Sequence, residues 1–227
     1  MIKNSLNTLT LTLVIFSLLA CGGNSHPSTT SEAESNVVPD SYLTFSGALG
    51  VHGAQLSPAL ASTMRPVSEV QGKQDYTLRL RTVSGQTFDL PLQVVALSQP
   101  TVHQAHFAGS MRNPGQVASV QLLDQQGQAL PFIDTDSSDT SLKPDVGQAS
   151  LSFWKQGENL RLKWNHLAEP FVSVIHVTNR GLRTVIVQNL VGGDASVDIG
   201  NLDAGGVFEV SLSTRWQARM VLIRNLK

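Results

Sequence analysis

Residues 150–164 read SLSFWKQGENLRLKW. Leu151 and Phe153 alternate with Ser150 and Ser152, Gln156-Gly157-Glu158 supplies a turn, and Leu160, Leu162 and Trp164 alternate with Arg161 and Lys163. Successive side chains of an extended strand point to opposite faces, so a period of two marks a strand with one buried face. Two such runs joined across a glycine turn read as a β-hairpin. The parity puts Trp164 in the core with Leu160 and Leu162. It puts Trp154 on the opposite face, beside Ser150 and Ser152.

Towards the C-terminus the same punctuation recurs. Residues 171–177 are apolar and β-branched, and Asn179-Arg180-Gly181 turns into 182–187. Gly192-Gly193-Asp194 leads into 195–199, Asp203-Ala204-Gly205-Gly206 into 207–212, and a last run spans 216–223, with Trp216 in phase with Met220 and Leu222. Seven short strands at turn spacings of about ten residues predict a β-sandwich over residues 147–227.

The passage Leu202-Asp203-Ala204-Gly205-Gly206-Val207-Phe208, together with Trp164 on the second strand, resembles the fibronectin type III pattern. That family carries a core tryptophan on its second strand and a Leu-x-Pro-Gly-x-x-Tyr passage entering its sixth. Here Ala204 stands for the proline and Phe208 for the tyrosine, so the hydroxyl of a tyrosine corner is missing.

Towards the N-terminus, Tyr76, Leu78 and Leu80 alternate with Thr77, Arg79 and Arg81, and Phe88, Leu90, Leu92 and Val94 continue the pattern. Pro91 lacks the amide proton a ladder needs, which argues for an edge position. Further strands are predicted over 42–45, 103–110, 117–123 and 130–133. Residues 51–74 contain Pro58, Pro66 and Gly72 and read as mostly loop, with room for one helical turn near 59–64. The expected fold is therefore all-β: a first sandwich-like domain over 41–133, an acidic linker over 134–146, and the fibronectin type III-like domain over 147–227. The tandem arrangement is similar to the all-β accessory modules that follow catalytic domains in large secreted bacterial hydrolases.

The chain opens with Lys3 and then an apolar run, 9–19, that ends Leu18-Leu19-Ala20-Cys21. A secretory signal needs a basic start, a short apolar core and small residues at the cut. The run is about a dozen residues, short of the ~20 that span a bilayer. The four residues 18–21 resemble the lipobox of bacterial lipoproteins. The resemblance implies that residues 1–20 are removed as a signal peptide and that Cys21 is lipidated, palmitate included. Residues 21–40 are rich in Gly, Ser, Thr and Pro and are expected to form a flexible tether. No aspartate follows Cys21, so the expected location is the outer membrane, on its periplasmic or cell-surface side.

Composition narrows the chemistry. Lys and Arg total 16 against 17 Asp and Glu, and Cys21 is the single cysteine. A balanced charge gives no reason to expect a nucleic-acid partner. If Cys21 carries lipid, no thiol remains for catalysis or for a metal. His103 and His106 are three apart, which on a strand places them on opposite faces. His166 and His176 stand alone. Asp134, Asp136 and Asp139 offer oxygen ligands that suit Ca²⁺, but the glycine and bidentate glutamate of a calcium loop are missing, so they read as a solvated spacer. There is no Gly-x-Ser-x-Gly and no His-Glu-x-x-His. No cofactor and no enzymatic activity are expected. The expected function is a membrane-anchored interaction or structural module of the cell envelope, with an envelope protein or a polysaccharide as partner. A carbohydrate- or polymer-binding lipoprotein is the first alternative, and a hydrolase with an unrecognised site ranks last. Trp154 is the expected contact residue, covered either by the first unit at the interdomain junction or by an external ligand; the junction is preferred because the strand begins soon after the linker.

Overall fold

The computed structural model describes residues 40–65, 75–96, 105–133, 151–200 and 202–224. Cys21, tether residues 21–39, His103 and the linker aspartates lie outside them. All regular structure among the described residues is β, and these residues belong to one compact unit.

The first half contains β1 (Tyr42–Gly50), β2 (Gly53–Leu56), β3 (Leu60–Ser62), β4 (Tyr76–Thr82), β5 (Thr87–Ala96), β6 (Ala105–Arg112), β7 (Val117–Leu123) and β8 (Ala129–Leu130). They form one antiparallel sheet in the order β2-β1-β6-β5-β4-β7-β8, with β3 also paired to β1. The sheet curls until its ends meet. Ala54 of β2 bridges Phe132 just after β8; its amide donates to Pro131 O at 2.9 Å, and its carbonyl accepts from Ile133 N at 2.7 Å. The alternating residues of each strand point into the enclosed space, where Leu43, Phe45, Leu78, Leu80, Leu92 and Phe107 are buried. Gly47 permits the tight pairing of β1 and β2, since a Cβ there would lie 2.2 Å from Gln55 O and 2.4 Å from the Phe107 ring.

β5 serves two neighbours in turn, pairing with β4 from Thr87 to Leu92 and with β6 from Gln93 to Ala96. Pro91 falls before the β6 pairing begins, at a local edge, where its missing amide proton is tolerated. Residues 51–65 differ from the expected loop with a helical turn. They hold β2 and β3, whose partner is β1 and whose pairing is too brief for a periodicity to show.

The second half contains β9 (Leu151–Gln156), β10 (Asn159–Trp164), β11 (Phe171–Val177), β12 (Arg183–Leu190), β13 (Asp194–Asp198), β14 (Val207–Ser213) and β15 (Ala218–Arg224). They make a sandwich of a three-stranded sheet, β13-β10-β9, on a four-stranded sheet, β12-β11-β14-β15. Phe153, Leu160, Leu162 and Trp164 from one sheet meet Val172, Val174, Val210, Leu212, Val221 and Ile223 from the other. Phe153 and Phe208 join the layers with ring centroids 5.5 Å apart. Trp164 is 4% exposed, and its indole N–H donates to Glu169 O at 3.0 Å, which removes the cost of burying that donor.

The two halves meet on the outer face of the four-stranded sheet. β3 lies against β14 and β15. Met220 of β15 belongs to the first half's core, and Trp216, Ala218 and Leu222 pack against that core. Polar groups are matched across the seam. The Ala61 amide donates to Ser211 Oγ at 3.0 Å, and the Arg183 guanidinium reaches both Glu209 and Ser62. Gln217 Nε2 donates to Val117 O, and Arg215 donates to Leu56 O at 2.9 Å.

Met220 is supplied by one half and buried at 1% exposure in the core of the other. Met220→Ala is predicted to cost about 2–5 kcal/mol of unfolding free energy. A urea titration followed by tryptophan fluorescence measures it. A loss under about 1 kcal/mol, the size of a surface substitution, would show that the first core does not lean on β15.

Candidate functional site: an open sheet face around Trp154

The outer face of the three-stranded sheet is a grid fixed by strand register. Pairing sets Trp154 of β9 opposite Arg161 of β10, and Arg161 opposite Ser196 of β13. On one side of this row stand Ser152, Lys163 and Asp194, and on the other Gln156, Asn159 and Asp198. Neighbouring strands are about 4.8 Å apart, and same-face residues along a strand are about 6.7 Å apart. The result is a shallow polar surface with one indole at its edge. Trp154 is 39% exposed and belongs to neither core.

Trp154 is therefore not among the junction residues. The seam uses the other sheet, through Trp216, Met220 and Leu222. β9 belongs to the three-stranded sheet, whereas the described seam residues lie on the four-stranded one.

Arg161 is unusually placed. Its Nε is sealed from solvent without a hydrogen-bond partner. Its Nη2 lies 3.6 Å from the Asp194 carboxylate, an ion pair too long to be a hydrogen bond. Arg79, on the outer face of β4, shows the contrast. Its guanidinium grips Asp89 through two bonds of 2.7 Å each. Those bonds, with the charge behind them, hold the Asp89 carboxyl below its ordinary value and the Arg79 guanidinium above its own. Beside it, Arg81, Thr87, Ser119 and Gln121 line a hollow of about 360 Å³.

A second concavity, of about 750 Å³, opens at the end of the sandwich under the 202–206 turn, with Lys155, Asp203 and Arg224 among its lining residues. His176 forms part of its wall. Read in the sequence as an isolated histidine, it is 2% exposed, packs against Phe208 with ring centroids 4.8 Å apart, and its Nε2 bonds Gly205 O at 2.8 Å. Gly206, with φ +94°, brings the turn close; a Cβ there would meet Val177 O at 2.3 Å. His176 thus secures the turn; the alternation of β11 was a signal for its burial, since it shares parity with Val172 and Val174, but not for its partner. Among the described residues no three His, Cys, Asp or Glu side chains gather to hold a metal ion. His106 is exposed on β6.

No protein-family model matches the chain, and no curated protein matches it in sequence. Among solved structures it resembles the pullulanase of Anoxybacillus sp. LM18-11, at 12% identity over 78% of this chain and 25% of that one, with a TM-score of 0.24. The chain spans a quarter of that protein, and so loose an overlay carries no argument about activity.

Trp154→Ala is predicted to change unfolding free energy by less than about 1 kcal/mol, because the side chain lies outside both cores. Trp164→Ala is predicted to cost about 3–5 kcal/mol. Matched denaturant titrations check the pair, and equal losses would mean that Trp154 is a packing residue. A second prediction concerns acid. A carboxyl held low in the fold contributes stability above its unfolded value, about 3.9, and that contribution is lost as pH falls through the folded value. Arg79→Met should raise the Asp89 midpoint towards 3.9 in an NMR titration; an unchanged midpoint would remove Arg79 as the cause.

Proposed function

We propose that this protein is a lipid-anchored, non-enzymatic binding module of the bacterial outer membrane. Its anchor is Cys21, its body includes a fibronectin type III-like sandwich, and its contact surface is the face around Trp154. Leu18-Leu19-Ala20-Cys21 supports the anchor. More than one acyl chain on the cysteine would make attachment stable, at about 0.8 kcal/mol per buried methylene. The observation that carries the binding reading is the half-exposed indole on a sheet face that no described core residue of the first half packs against, while the opposite sheet is covered. An exposed tryptophan offers a large rigid contact area and is enriched where binding energy concentrates.

Cys21→Ser is predicted to abolish incorporation of labelled palmitate and to leave the precursor uncut; equal labelling of mutant and parent would refute the anchor. For the contact surface, residues 31–227 without lipid should bind isolated cell envelopes saturably, and Trp154→Ala should weaken that binding at least tenfold. Binding that is absent, or indifferent to Trp154→Ala, would refute this face as the contact surface.

A further inference from the structure

We propose that the open face is a subsite for a neutral polysaccharide chain, stacked on Trp154 and hydrogen-bonded between Arg161 and Asp194. The proposal rests on the reading of this face as the contact surface and names its ligand class.

Three observations favour a polyhydroxylated ligand. The first is the indole at the edge of the grid, whose flat apolar face suits the C–H face of a pyranose ring. The second is the gap between Arg161 and Asp194. Charged donors and acceptors form stronger hydrogen bonds than neutral ones, yet these two stand 3.6 Å apart and do not bond each other. A vicinal diol fits such a pair: one hydroxyl oxygen accepts from the guanidinium while its neighbour's O–H donates to the carboxylate. The Arg161 side chain is held down, since its Nε is sealed from solvent, and it stands directly opposite Trp154. The third is charge balance. Arg161 and Lys163 face Asp194 and Asp198 on the same grid, so the surface presents no net sign to attract a polyanion.

Other occupants fit less well. The core of a protein interface is depleted of charge, whereas Trp154 here is surrounded by charged and amide side chains. A nucleic acid needs a basic footprint to displace its counterions. A single sugar would cover little of an open, shallow face. A chain crossing the strands can meet the indole, the guanidinium and the carboxylate in succession.

The test uses the full chain purified in mild detergent. Affinity gel electrophoresis is run with dextran, hydroxyethylcellulose, galactomannan and arabinoxylan as neutral polymers, and with dextran sulfate and polygalacturonate as charged ones. At least one neutral polymer is expected to retard the protein, with a change in tryptophan fluorescence. Trp154→Ala should weaken that interaction at least tenfold, and Arg161→Gln and Asp194→Asn about fivefold each, with circular dichroism and melting unchanged. Arg79→Gln, on the other half, should have no effect. No retardation by any neutral polymer overturns the proposal. So does retardation that survives Trp154→Ala, or preferential binding of the charged polymers. Envelope binding that depends on Trp154 without neutral-polymer binding would sink this ligand class and leave the contact face standing. Loss of both would sink the face itself.

Discussion

β14 is buried on both faces, and the rest of the body is arranged to satisfy it. Its inward residues Phe208, Val210 and Leu212 fill the sandwich. Its outward residues Glu209, Ser211 and Ser213 are buried as well, at 4%, 3% and 2% exposure. A buried carboxylate without partners is costly. Glu209 is met by Arg183 from β12 and by Thr63, and Ser211 is met by the backbone of β3. The first half thus supplies hydrogen-bond partners as well as apolar cover. Removing one partner of such a buried set costs more than the set contributes while whole.

That constraint decides which surfaces remain free. The four-stranded sheet is covered by β3 and the first core, and among the described residues the first core does not reach the three-stranded sheet. Its register then gathers one indole, two cations, two carboxylates and several amides and hydroxyls into a regular array. The same register brings Arg161 close to Asp194, with 3.6 Å between guanidinium and carboxylate. An arginine already joined to its partner, as Arg79 is to Asp89, has fewer donors for a ligand.

Alternation with a period of two determined the hairpin at 150–164, the strands on each side of it, and the faces taken by Trp154 and Trp164. These follow from backbone geometry alone, because each side chain's face depends on its immediate neighbours in the chain. The turn glycines marked the strand ends for the same reason. The apolar run and Leu18-Leu19-Ala20-Cys21 are likewise local patterns, legible from adjacent residues without reference to the fold.

What tertiary structure decided is where distant segments meet. β2 and β3 were not legible in residues 51–65, since each is only a few residues long and is held by pairing with β1. Neither the seam through Met220 nor the anchoring of the 202–206 turn by His176 could be read from spacing, because their partners are far off in the chain. For the same reason Trp154's outward parity was legible but its neighbours were not. Arg161 and Asp194 are 33 residues apart in sequence, and only the pairing of β10 with β13 sets them side by side.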